Sequence, residues 1–82
     1  MSLSEGVVAR VRAILSQVLG VRAEDIGPGF SAASAAEWTS LNHLMLVSQI
    51  ESEFGVFFSS REVQELTSLD RIVTALSGRS GD

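Results

Sequence analysis

The chain is predicted to be all-α, a four-helix bundle with a long first loop and a short third helix. Apolar residues recur at helical spacing in three separate stretches, hydroxyl-then-acid pairs mark helix starts, and no stretch sustains the alternation of a strand. Gly55-Val56-Phe57-Phe58 is too short for one and stands between two helix signals.

The first helix is expected over about 3–19, because Val7, Val11, Ile14, Leu15 and Val18 fall on one amphipathic stripe. Ser2 with Glu5 has the spacing of a capping box. Gly20 suits the left-handed position that ends a helix.

The stretch from Gly20 to Thr39 is rich in Gly, Ala and Ser, and Pro28 between two glycines excludes regular helix through 27–29. Loops longer than about 12–15 residues are usually functional or disordered. Val21, Ile26, Phe30 and Trp38 supply apolar anchors, so an ordered loop draped over the bundle is expected.

The second helix is expected over about 40–54, with Leu46, Val47, Ile50 and Phe54 facing inward and Gly55 stopping it. Ser59 with Glu62, then Thr67 with Asp70, repeat the cap-plus-acid spacing. They mark a short third helix over about 60–65 and a final one over about 68–77, whose Leu69, Ile72, Val73 and Leu76 face inward.

At 82 residues the chain is expected to form one domain, 1–82, with a thin stability margin. Ten acidic residues oppose six arginines, for a net charge of −4, and the arginines are dispersed at positions 10, 12, 22, 61, 71 and 79. A nucleic-acid footprint is therefore not expected. No apolar run approaches the roughly 20 residues that span a bilayer, and the N-terminus lacks a basic region followed by an apolar stretch, so a cytoplasmic protein without membrane contact is expected. With no Cys, no Tyr and one His, the usual constellations for nucleophilic catalysis or metal ligation are thin, and neither an enzyme nor a metal site is expected.

Ser40 stands at the first turn of the second helix, directly after the loop that ends in Trp38. By residue type alone it reads as a helix cap. Its wider setting adds another reading. The Ser40-Leu41 pair opening the second helix, its Glu51-Ser52-Glu53-Phe54-Gly55-Val56 ending, the Leu19-Gly20-Val21 segment and the Leu66-Thr67-Ser68-Leu69 link together resemble the acyl carrier protein family. The likeness covers nearly the whole chain.

The resemblance implies a bundle of the acyl carrier protein type in which Ser40 receives 4′-phosphopantetheine from coenzyme A. The thiol arm would supply the sulfur this cysteine-free chain lacks. An acyl or aminoacyl group would ride on it as a thioester. The implied partners are a phosphopantetheinyl transferase, an acyl- or aminoacyl-loading ligase and downstream acyl-processing enzymes, met by a monomer. A phosphodiester at a helix N-terminus would lie where negative charge is favoured.

The chain departs from the family at Thr39, where Asp is usual, so the loading enzyme meets no carboxylate there. A dedicated transferase is one consequence and an unmodified carrier the other. Asn42 and Met45 stand where acidic residues are frequent, leaving Glu51 and Glu53 as the carboxylates of the second helix. These departures point to a specialised pathway. Thr39, Leu41, Leu44, Met45 and Phe57 are the candidate partner contacts, although the leucines and Met45 equally suit packing against the loop, and Phe57 equally suits packing inward beside Phe58.

Trp38 is expected to anchor the loop. Ala32 and Ala36 fall where the family carries bulky residues, so Phe30 and Trp38 are expected to fill that space. His43 is expected on the solvated side of the second helix. The function expected is that of a carrier; the alternative is an unmodified helical docking module that binds a partner through the second helix.

Overall fold

A computed structural model describes residues 3–80, and the side chains of 6–78 among them. Four helices occur in the order α1 (Leu3–Leu19), α2 (Ser40–Phe54), α3 (Ser60–Glu65) and α4 (Leu69–Ser80), with one 3-10 turn at Ala23–Asp25 in the first loop. Among the described residues the fold is the expected all-α four-helix bundle, with a long first loop and a short third helix. Among the described residues no helix is long and apolar enough to cross a membrane.

The apolar stripes meet in one core. Val11, Ile14, Leu15 and Leu19 of α1 pack with Leu46, Val47 and Ile50 of α2 and with Leu69, Ile72 and Leu76 of α4, all buried. Val7, Val18, Phe54 and Val73 pack half-buried at the margin. α1 is the central element, packed on both α2 and α4. α3 buries no residue fully and is held instead by its ends.

Those ends are well defined. The Ser59 hydroxyl accepts the Glu62 N–H at 3.2 Å while the Glu62 carboxylate accepts the Ser59 N–H at 2.8 Å, a complete capping box on a helix of six residues. A helix this short has no stability of its own in water, so the reciprocal cap carries much of its definition. The expected start of α4 is corrected by one residue: the Ser68 hydroxyl, not that of Thr67, accepts the first-turn N–H of Arg71 at 3.1 Å. Thr67 instead gives its carbonyl to the Ala32 N–H at 2.9 Å. The Ser2–Glu5 capping box lies outside the described residues.

Gly20 (φ 72°) and Gly55 (φ 66°) both adopt the left-handed conformation that closes a helix. The first loop is ordered, as its anchors suggested. Ile26 and Trp38 enter the core, Phe30 stacks on Trp38 with ring centroids 5.9 Å apart, and Ala32 is half-buried beside them. Ala35, not Ala36, is the buried alanine of this stretch. A two-residue antiparallel bridge pairs Ser31 with Ser68, the Leu69 N–H reaching the Phe30 carbonyl at 3.0 Å. This bridge pins the loop to the link between α3 and α4.

Candidate functional site

The start of α2 explains what Ser40 can do. Thr39 is the N-cap: it has extended backbone angles, its hydroxyl accepts the Asn42 N–H at 3.2 Å, and its carbonyl accepts the His43 N–H at 2.8 Å. The capping role suggested for Ser40 by its residue type is therefore taken by its neighbour. Ser40 is the first helical residue, exposed, and among the described residues its hydroxyl takes no hydrogen bond. The first-turn N–H groups and the positive end of the helix dipole surround it.

The approach to Ser40 is braced from behind. Asn42 donates from Nδ2 to the Glu37 carbonyl at 2.8 Å, closing the turn that leads into the helix. The Trp38 indole N–H donates to His43 Nδ1 at 2.9 Å, and His43 Nε2 lies 2.7 Å from the Val63 carbonyl of α3. An indole nitrogen only donates and a carbonyl only accepts, so this pairing defines the neutral imidazole with its hydrogen on Nε2. His43 is half-buried between the loop and α3, which corrects the expectation that it faces solvent.

A groove of about 630 Å³ opens beside Ser40, between the start of α2 and α3. Trp38, His43 and Val63 line it together with Ala32 of the first loop, while Thr39, Ser60, Gln64 and Thr67 bring hydroxyl and amide groups. The contributors come from three separate segments, so no local pattern revealed the groove. The backbone carbonyl of Val63 in particular leaves no trace in a sequence. Among the described residues no group of three or more His, Cys, Asp or Glu side chains gathers to hold a metal.

Four large apolar side chains stand out in solvent around this end of the molecule and the turn after α2: Leu41 at 68% exposure, Leu44 at 61%, Met45 at 51% and Phe57 at 87%. Met45 therefore does not simply pack on the loop, and Phe57 does not fold inward, whereas Phe58 packs against the core. The two carboxylates of α2 are occupied within the molecule. Glu51 accepts the Phe58 N–H at 2.9 Å, and Glu53 pairs with Arg10 of α1 at 2.7 Å.

The site suits a phosphate-linked arm. An unengaged hydroxyl sits at a helix N-terminus, where a phosphodiester would meet backbone N–H groups and the dipole, and a groove with both polar and apolar walls leads away from it. No curated protein matches the chain. The family model described as "phosphopantetheine attachment site" matches residues 9–76, a span from α1 to α4 that includes Ser40 and the whole groove. Members of that family bind 4′-phosphopantetheine covalently and act as carriers. The chain belongs to the phosphopantetheine attachment site family and is a phosphopantetheine carrier protein.

Proposed function

We propose that Ser40 is the residue that bears the arm, and that the chain carries an acyl or aminoacyl group as a thioester on it. In the loading reaction Ser40 Oγ forms a phosphodiester with the pantetheine half of coenzyme A. The pyrophosphate bond breaks, the adenosine bisphosphate half leaves, and the hydroxyl proton passes to a base of the transferase. The observation that carries this reading is the division of labour at the helix start: Thr39 caps, which leaves the Ser40 hydroxyl exposed and uncommitted.

The protein so read is a monomeric, cytoplasmic carrier with no catalytic role of its own. It is passed among a transferase, a loading ligase and acyl-processing enzymes. Leu41, Leu44, Met45 and Phe57 supply the contact surface and Thr39 its neutral edge. With Glu51 and Glu53 engaged internally, α2 meets its partners through apolar area more than through charge, which fits a specialised pathway.

The test is incubation with coenzyme A and a broad-range phosphopantetheinyl transferase, read by intact mass. One added phosphopantetheinyl unit, lost in Ser40→Ala, is the expected result. If neither that enzyme nor a transferase from the native host adds it, the attachment fails. The docking-module reading, favoured by the four exposed apolar side chains and the neutral Thr39, then stands in its place.

A further inference from the structure

The half-buried His43 ring forms part of the wall of the groove beside Ser40. His43, Val47 and Ile50 share one face of α2, and Val47 and Ile50 are buried. His43 also lines the groove, so it stands where the groove wall continues into that buried face. There the ring is held from both sides, by the Trp38 indole at 2.9 Å and by the Val63 carbonyl at 2.7 Å. The two rings so joined have centroids 6.1 Å apart and planes inclined by 29°.

We infer that the Trp38–His43–Val63 bridge bars the interior of the bundle to cargo, so that an acyl chain carried on Ser40 lies in the surface groove and is not sequestered in the core. The inference rests on attachment at Ser40. Admitting a chain between α2 and α3 requires Val63 to move away from His43. That would leave the half-buried His43 ring N–H without its acceptor, a cost an alkyl chain cannot offset by hydrogen bonding. The groove offers the alternative: the hydroxyl and amide groups of Thr39, Ser60, Gln64 and Thr67 can meet the amides of a pantetheine arm, and Ala32, Leu44 and Val63 can meet a short apolar group. The cargo class that follows is a short or polar acyl group, such as an aminoacyl or hydroxyacyl unit, in preference to a long alkyl chain.

The experiment compares three loaded states of the full chain, carrying the unacylated arm, an acetyl group and an octanoyl group, each transferred from the corresponding coenzyme A ester and verified by intact mass. Amide hydrogen exchange is then followed at Leu46–Ile50 and Val63–Leu66. In the wild type the octanoyl state is expected to protect these amides no more than the acetyl state does, within about twofold. In His43→Ala, which removes the bridge, the octanoyl chain is expected to raise their protection at least tenfold. His43→Gln, whose amide offers one acceptor and one donor, is expected to behave as the wild type and remains informative should the alanine variant not fold. Tenfold protection by octanoyl in the wild type overturns the inference. The bridge is also read without any loading, from the imidazole 15N shifts of the unmodified protein: a single neutral form with hydrogen on Nε2 supports it, and two averaged tautomers overturn it. Failure of loading therefore counts against Ser40 attachment, while the imidazole spectrum still decides the bridge.

Discussion

Arg10 of α1 reaches across to the last turn of α2 and grips Glu53 twice, its Nη2 lying 2.7 Å from the carboxylate and 3.3 Å from the backbone carbonyl. The same guanidinium lies over the Phe54 ring, 4.5 Å from its centroid. One cation thus serves a side-chain anion, a helix C-terminus and an aromatic face at once. Both partners are about half exposed, so solvent screens the pair. Arg10→Ala is expected to lower unfolding free energy by about 1 kcal/mol. Urea titrations at low and high salt will show the loss shrinking as salt screens the ion pair but not vanishing, because the contact with Phe54 remains.

Leu46 is fully buried where α2 faces the core, and its removal leaves a cavity that the neighbouring helices fill only in part. Leu46→Ala is expected to cost about 2–5 kcal/mol. That is a large share of the stability of a domain this size, and calorimetry will show a transition moved well below that of the wild type.

Gly55 ends α2 at φ 66°, and a Cβ there would meet nothing within 4 Å. The cost of Gly55→Ala is therefore purely conformational, about 1–2 kcal/mol. Chemical denaturation will show that loss with an unchanged denaturant slope.

Thr39→Asp keeps a side-chain acceptor for the Asn42 N–H and adds a carboxylate at the positive end of the helix. Stability is expected to hold or rise slightly. Loading by a broad-range transferase with a basic groove is expected to speed up several-fold at low salt and to lose that gain as salt rises. Thr39→Ala is expected to cost about 1 kcal/mol of stability with no gain in loading.

Leu44→Ser and Phe57→Ser alter side chains that are largely in solvent, so each is expected to change stability by no more than about 0.5 kcal/mol. Steady-state loading kinetics are expected to show a several-fold higher KM for Leu44→Ser with kcat preserved. An unchanged KM in both variants would remove these residues from the transferase contact.

The helices were legible because burial writes a periodic signal into the chain. Val11, Ile14 and Leu15, Leu46, Val47 and Ile50, and Ile72 and Leu76 all lie on stripes that a 3.6-residue period reveals. Ser59 with Glu62 was equally clear, since a capping box is local. What escaped was long-range. His43 looked like a surface residue because its partners are an indole five positions earlier and a main-chain carbonyl on another helix, neither of which alters the helical pattern. The choice of Ser68 over Thr67 as the cap of α4 follows from the bridge to the first loop, which takes the Thr67 carbonyl and fixes the chain direction there. The identity of the cap ahead of Ser40 rested on the same kind of detail: two adjacent hydroxyl residues compete for one role, and only the backbone angles decide between them.

The Ser31–Ser68 bridge has a kinetic meaning as well as a static one. Helices such as α1 and α2 form from contacts close in sequence, whereas this bridge joins the first loop to the link between α3 and α4, a long-range contact of the kind that forms slowly. The walls around Ser40 are therefore expected to close later in folding than the helix that displays it. An enzyme that recognises those surroundings is then expected to act on folded chains in preference to partly folded ones.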